Sequence, residues 1–267
     1  RKDLRRFDSA SKANGTHTFT IDVKLDGMLT AVIAHPPKFG AKVRSFDAAE
    51  ALKVRGVKHV VEIPRGVAVV AEHMWAAIKG RDALEVEWDE SAAEKRGSEE
   101  IMAGYRTLAT NAPKAIARQD GDVEKALSLA NKVIEATYEF PFLAHAAMEP
   151  LNAVARMNKD GSLEVWGGHQ IPDLYQNIAA QIAGVSPDKV KMHVMTTGGG
   201  FGRRAVADGD IVAEAVSIGK AIDFKAPVKV QWTREDDMRA GRYRPAYVHT
   251  FKAGLADSGK LVAWANH

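Results

Sequence analysis

The chain has 267 residues, 46% hydrophobic and 27% charged, with 37 basic against 34 acidic side chains and a formal charge of +3. A chain this apolar and this evenly charged is neither intrinsically disordered nor built on the concentrated basic face of a nucleic-acid binder, so nucleic acid is not an expected partner. It contains no cysteine, which removes disulfides, thiolate zinc sites, cysteine nucleophiles and any iron–sulfur cluster ligated by this chain.

The length suits one or two domains. The sequence starts at Arg1 and ends on a strand-like stretch, so a processed chain or a piece of a longer one is expected. No apolar run approaches the ~18 residues of a membrane span, and no signal peptide is visible. Thr16–Lys24 alternates apolar and polar residues, the pattern of a half-buried strand. Asp26-Gly27 is a turn signal, followed by the apolar run Met28–Ala34, which Pro36-Pro37 ends. Val57–Ile63 and Val67–Ala71 read as strands, Met74–Ala83 as a short helix and Leu84–Trp88 as an alternating strand. Strands that mostly precede one helix favour an α+β class over strict βαβ alternation. The segment Asp89–Gly121, rich in Ala, Glu, Lys and Gly, reads as a connector with a helix over Glu99–Thr110.

The second half has its own rhythm. Val123–Ala130 is predicted helical, Lys132–Phe140 and Leu151–Met157 are predicted strands, and Asp160-Gly161 turns the chain into Leu163–Trp166. Pro172–Ala183 is a helix opened by a proline in its first turn. Val190–Thr196 is a strand, and Asp208–Lys220 is a helix with Ile211, Ala215 and Ile218 on one face. Val228–Trp232 is a strand, Thr233–Met238 is turn-like, and Tyr247–Ala253 pairs with Leu261–Trp264 as a hairpin. The turn-and-strand stretches ending at Trp166 and Trp264 echo each other; ordinary hairpin chemistry explains this as well as a duplicated architecture does. Trp75, Trp88, Trp166 and Trp232 are expected to pack in the interior.

The unusual stretch is Thr196-Thr197-Gly198-Gly199-Gly200-Phe201-Gly202-Arg203-Arg204, between a predicted strand and a predicted helix. Successive glycines free the backbone to approach a ligand, and their N–H groups can meet an anion. Arg203 and Arg204 add positive charge. The P-loop pattern is absent, and a dinucleotide fingerprint fits only as Gly200-Phe201-Gly202 ending at Ala205, with no acidic residue at the required distance. A purely structural glycine turn is the other reading. His145, His169 and His193 have no short metal-ligand spacing, and His193 reads as structural. Glu149 reads as orienting a loop through hydrogen bonds or approaching the site, and Arg242 and Arg244 as binding an anion or pairing with Asp236 and Asp237.

Four collinear motifs carry a resemblance. GGGFGRR follows Gly168-His169-Gln170 by about 30 residues; His145–Pro150 fits H-x-x-M-E-P; Thr233–Met238 with Arg242–Pro245 fits T-R-E-D-D-M and R-x-R-P. The chain resembles the molybdenum-binding large subunits of the xanthine dehydrogenase and aldehyde oxidase family, and within it the isoquinoline 1-oxidoreductase beta-subunit type. The N-terminal part, with Asn14-Gly15, Asp26–Leu29 and Gly66–Ala71, is similar to the family's hammerhead domain. The resemblance implies a hammerhead-like α+β domain over residues 1–90, a connector over 91–121 and an incomplete first molybdenum-cofactor-binding domain over 122–267.

It also implies a site. Gln170, Gly199, Gly200, Phe201, Gly202, Arg203 and Arg204 correspond to cofactor-binding positions, with Phe201 and Gly202 beside molybdenum and Gln170 donating to an oxo group. His169, Arg242 and Arg244 are candidates for substrate or anion contacts, and no side chain here ligates the metal directly. The implied cofactor is molybdopterin with molybdenum, in its cytosine dinucleotide form. Two-iron two-sulfur (2Fe-2S) clusters would sit on a small iron–sulfur partner subunit. The implied reaction is hydroxylation of an N-heterocycle or aldehyde with water as the oxygen source. Its general base is a glutamate expected beyond residue 267, so no catalytic residue is expected here and the isolated chain is expected to be inactive. Relatives often carry Gly-Lys-Glu after GGGFG, where this chain has Arg203-Arg204-Ala205, which argues against purine-type substrates. The remainder of its own large subunit and a small-molecule substrate are the other expected partners. The other functional class is a non-catalytic binding or assembly module that keeps the fold. Substrate and compartment, cytoplasmic or exported, stay open.

Overall fold

The computed structural model describes Leu4 and residues 6–267, so Arg1 lies outside the described residues. The strands in chain order are β1 (Leu29–Ala34), β2 (Lys42–Asp47), β3 (Val57–Ile63), β4 (Gly66–Ala71), β5 (Glu85–Asp89), β6 (Lys132–Phe140), β7 (Asn152–Met157), β8 (Leu163–Gly167), β9 (Val190–Val194), β10 (Val228–Gln231), β11 (Tyr247–Leu255) and β12 (Leu261–Asn266). The helices are α1 (Ser9–Ala13), α2 (Ala49–Lys53), α3 (Met74–Asp82), α4 (Ser98–Ala109), α5 (Val123–Ser128), α6 (Pro172–Ala183), α7 (Asp210–Ala221) and α8 (Arg234–Arg239). The class is mixed α and β, as expected, with one mixed sheet and two antiparallel ones.

One unit comprises the chain up to Glu94 together with Ala144–Arg242. Its seven-stranded sheet runs β3-β4-β1-β10-β7-β8-β9. β1 lies parallel to β10, with Leu29 opposite Val228, and β8 lies parallel to β9; the other pairs are antiparallel. Strands from both sides of the predicted connector therefore share one sheet. β4 is buried at every residue, which is why Val67–Ala71 reads as a continuous apolar run rather than an alternating one. Val32, Ala71, Ala76 and Ala77 form a small core under α3. The main core gathers Ile33, Val70, Leu163, Val165, Val228, Val230 and Trp232 against Ile211, Ala215 and Ile218 of α7. Each such aliphatic side chain, fully buried, contributes about 1.5–3 kcal/mol.

A backbone contact fixes the register of β4 on β1. Gly66 sits at φ 145°, and a Cβ there would fall 2.2 Å from the Ala34 carbonyl oxygen. Gly66→Ala is expected to lower stability by about 2 kcal/mol, seen as a lower urea midpoint at unchanged slope. A midpoint equal to the parent's would show that this approach is not needed.

The second unit is Lys95–Leu143 with Tyr243–His267. Its sheet runs β12-β11-β6, and α4 and α5 pack on it. The predicted hairpin is β11–β12, with Ala253 opposite Trp264. Tyr247, His249 and Phe251 stack in sequence along β11, with ring centroids 5.1 and 5.7 Å apart.

Several sequence expectations are corrected. Thr16–Lys24 is not a ladder strand: Phe19 makes one isolated bridge to Thr196, and Thr20–Asp22 forms a 3-10 turn. Side chains take the hydrogen-bonding groups a neighbouring strand would have used, since Ile21 N–H donates to Glu149 and Lys229 donates to the Ile21 carbonyl. Thr233–Met238 is not a turn but leads into α8, capped by Thr233, whose hydroxyl accepts from Asp236 N–H. Trp75 is exposed, with Lys79 Nζ 4.8 Å from its ring centroid, rather than in the interior. The two echoing turns both lead into antiparallel hairpins, β7–β8 and β11–β12, in different sheets.

Candidate functional site

The glycine tract leaves β9 at one end of the large sheet. Met195 N–H donates to the Gly167 carbonyl (2.9 Å), carrying the pairing one residue past β9 before the chain turns away. Gly199 (φ 114°), Phe201 (φ 54°) and Gly202 (φ 92°) all lie in the left-handed region. Phe201 is not a glycine, so its backbone is strained, and its side chain is 64% exposed. The N–H groups of Gly199, Gly200, Phe201 and Gly202 make no hydrogen bond among the described residues. Four consecutive unpaired donors on a half-exposed loop are suited to an anionic or oxo-bearing group.

The neighbours of this loop are arranged at close quarters. A Cβ on Gly198 would lie 2.7 Å from the Glu149 Cβ, and one on Gly168 2.6 Å from the Thr197 Cβ. Gln170 exchanges two hydrogen bonds with Arg204: its N–H donates to the Arg204 carbonyl (3.0 Å), and its Oε1 accepts from Arg204 N–H (3.2 Å). The rest of the Gln170 side chain has no partner among the described residues, leaving its amide NH2 as a spare neutral donor, while its Oε1 lies 2.8 Å from a Cβ built on Gly200.

Arg203 and Arg204 look inward rather than at a ligand. Arg203 is 4% exposed and donates from Nη1 (3.1 Å) and Nη2 (2.5 Å) to Asp210, with its guanidinium 5.5 Å from the Trp232 ring centroid. Arg204 donates from Nε to the Gly199 carbonyl (3.0 Å) and from Nη2 to the Glu149 carbonyl (3.2 Å). Burial pulls the Arg204 guanidinium below its usual value, and Glu149 and Asp237 oppose that.

His169 is buried, its Nε2 has no hydrogen-bond partner among the described residues, and its ring meets Tyr175 edge-on at 5.6 Å. Burial, then the Arg204 charge, lowers its pKa from 6.5 to about 4, so it is a neutral imidazole at neutral pH. Burial, then Asp210, pushes the Tyr175 phenol up to about 12. His193 stacks on Trp166 at 4.5 Å, a packing role. Arg242 pairs with Asp208 at 2.5 Å, not with Asp236 or Asp237, which are held by Arg81 and Arg234. Arg244 belongs to the second unit, is exposed, and exchanges backbone hydrogen bonds with Leu143. The structure thus gathers His169, Gln170 and Gly199–Arg204, while the Arg242 guanidinium is engaged by Asp208.

A cleft of about 690 Å³ lies in the first unit, lined by Arg65, Asp208, Glu214 and Lys220 among others, and it contains no residue of the glycine loop. Behind it runs a buried charge network. Glu214 accepts from Trp232 Nε1 (2.7 Å) and Arg65 Nε (3.3 Å) and is bonded to His35 Nε2 (3.0 Å). Sequence reasoning missed this network. The Asp208–Asp210 pair following the arginines is the one signal that points to it.

Residues 108–267 match the family described as "Molybdopterin cofactor-binding domain". The chain belongs to the molybdopterin cofactor-binding family. It is 32% identical over 274 residues to the isoquinoline 1-oxidoreductase subunit beta of Brevundimonas diminuta, covering 100% of this chain and 35% of that protein. It is 34% identical over 270 residues to a membrane-bound aldehyde dehydrogenase of Gluconacetobacter polyoxogenes that is named for pyrroloquinoline quinone, covering 98% and 34%. Quinoline 2-oxidoreductase from Pseudomonas putida 86 superposes with a TM-score of 0.75 at 18% identity, over 98% of this chain and 38% of that one; this likeness shows the fold alone. The chain spans about a third of the length of the curated relatives it matches. Relatives carry oxidoreductase names, and several are named as subunits. No helix among the described residues is long and apolar enough to cross a membrane.

The residues present fit the family's cofactor. The unpaired N–H groups of residues 199–202 and the spare amide donor of Gln170 supply neutral donors on the loop and next to it. Nothing lies within 4 Å of a Cβ built on Gly202, so the loop is open on that side.

Proposed function

We propose that this chain is part of a molybdenum hydroxylase large subunit, and that its glycine loop holds the molybdenum cofactor while an N-heterocycle or aldehyde is oxidised with water as the oxygen source. The observation that carries the reading is the run of four unpaired N–H groups at Gly199–Gly202, next to the spare amide of Gln170. Bound there, the cofactor supplies two-electron oxidation chemistry. The chain's own part is to present donors without net charge, which favour an electron-rich oxygen and need no reorganisation. Phe201 and Gly202 form the exposed rim. Arg203 and Arg204 act behind the loop, holding its shape through Asp210, Gly199 and Glu149. His169, kept neutral by burial, backs Gln170 without adding charge. The domain boundaries at residues 90 and 121, the cytosine dinucleotide form, a small 2Fe-2S partner subunit and substrate or anion contacts from Arg242 and Arg244 belong to the same proposal.

The deciding experiment is analysis of the full-length protein co-expressed with its iron–sulfur partner. Elemental analysis is expected to find molybdenum, and oxidised extracts are expected to show pterin fluorescence. Pyrroloquinoline quinone with no molybdenum would overturn the reading in favour of the other relative's named cofactor. The 267-residue chain alone, spanning about a third of its relatives, is expected to reduce no dye in the presence of aldehydes or N-heterocycles.

A further inference from the structure

The carboxylate of Glu149 collects four donors from three separate stretches of chain. Oε1 accepts from Ile21 N–H (3.0 Å) and Asn152 Nδ2 (2.8 Å). Oε2 accepts from Thr197 Oγ1 (3.0 Å) and Gly198 N–H (2.5 Å). The residue is 7% exposed, so each of these bonds is made away from water, where an unmade one is costly. Glu149 also uses its backbone: its N–H donates to the Gly198 carbonyl (3.3 Å), and its carbonyl accepts from Arg204 Nη2 (3.2 Å). Its own segment is held in turn. Arg234 Nη2 donates to the Ala147 (2.5 Å) and Met148 (3.1 Å) carbonyls, and Ala146 takes a positive φ of 47°.

We propose that Glu149 is the positioning residue of the glycine loop: it locks Thr197 and Gly198 against the N-terminal turn at Phe19–Ile21, so that the next four N–H groups face outward. The proposal rests on the reading that this loop holds the cofactor. Gly198 is the last loop residue whose N–H is taken up inside the protein before that run begins. The N-terminal turn is tied to the same strand end by Thr20 N–H donating to the Thr196 carbonyl (3.0 Å) and by a His17–Thr196 side-chain hydrogen bond (2.8 Å). Lys229 completes the join by donating to the Ile21 carbonyl (2.7 Å). The position suits a carboxyl group of this length, with two oxygens. An amide has one acceptor oxygen, and whichever way it turns its NH2 faces a backbone N–H, that of Ile21 or of Gly198. An aspartate is one methylene short.

The test compares Glu149→Gln with the parent in the full-length protein with its partner subunit. Hydrogen–deuterium exchange is read by mass spectrometry, and release of molybdenum and pterin is timed on dilution. Exchange is expected to rise by about tenfold or more at residues 19–22 and 197–202 while β4 and β8 are unchanged, since loss of a buried hydrogen bond loosens its own segment first. Cofactor release is expected to quicken with it. The milder Thr197→Val, which deletes one of the four donors, keeps the test open if the first variant folds poorly. It is expected to loosen the same peptides by a smaller factor. A uniform rise across the large sheet would overturn the proposal, making Glu149 a general stabiliser. Unchanged exchange at residues 197–202 would overturn it as well. Loosening of the loop with cofactor held as firmly as before would uphold the positioning role and sink the reading that the loop holds the cofactor.

Discussion

Asp210→Ala is expected to destabilise the protein by about 3–5 kcal/mol, the loss typical of stranding one partner of a buried ion pair. Asp210 is 1% exposed and takes both terminal nitrogens of Arg203. It also opens α7 and accepts the Ile211 N–H (2.8 Å), so its charge sits at the favourable end of the helix. Without it, the Arg203 guanidinium is left against the face of Trp232. It has no room to swing away: even a Cβ on Gly241 would fall 2.8 Å from Arg203 Nη2. Removing both charges is a different experiment. Arg203→Met with Asp210→Leu is expected to recover most of the loss, because neither variant side chain carries a desolvated charge. Urea unfolding of the parent, Arg203→Met, Asp210→Leu and the double variant closes the cycle. Additive losses, or a single variant within about 1 kcal/mol of the parent, would show that the pair is solvated. Because Arg203 begins the turn directly after Gly202, the cycle also reports how firmly the C-terminal side of the loop is held.

That pair marks where the sequence is easy to misread. Two arginines after a glycine tract have the composition of an anion site. What turns Arg203 inward is a carboxylate seven residues on, at the start of a helix that the apolar spacing of Ile211, Ala215 and Ile218 does predict. The legible elements are those with a clean period or a sharp stop: the apolar run of β4, the proline-opened α6, and the hairpin of β11 and β12. β2 is not legible because Lys42–Asp47 is mostly charged or polar and pairs only with β5 in a two-stranded ribbon, where neither face need be apolar. Thr16–Lys24 misleads for the opposite reason: it has a strand's alternation, but its backbone is satisfied by Glu149 and Lys229 from distant parts of the chain. The loop itself announces its chemistry through its glycines. The residues that shape it do not, because Ile21 and Glu149 are 128 positions apart and no local pattern joins them.

His169 is expected to make the protein acid-sensitive in a defined window. Its pKa falls from 6.5 in the unfolded chain to about 4 in the fold, through burial first and the Arg204 charge second. The unfolded chain therefore binds the proton more readily. Stability from this group is fully present above pH 6.5, falls as the pH drops, and is lost once the pH passes through about 4. At 1.36 kcal/mol per unit the whole effect is about 3 kcal/mol, of which about 2 kcal/mol is gone by pH 5. The measurement is urea unfolding of the parent and His169→Asn at pH 7.5 and pH 5. What matters is the difference between the two pH dependences, because the substitution also changes packing against Tyr175. The parent is expected to lose about 2 kcal/mol more than the variant over that interval; parallel losses would show that His169 is not the group responsible. The direction has a consequence for the loop. An imidazolium at His169 would face the Arg204 guanidinium, and Arg204 holds Gln170 through two backbone-anchored hydrogen bonds. Acid is then expected to loosen the Gln170 side of the site before the sheet unfolds, so Gln170 should lose its exchange protection at a higher pH than β8.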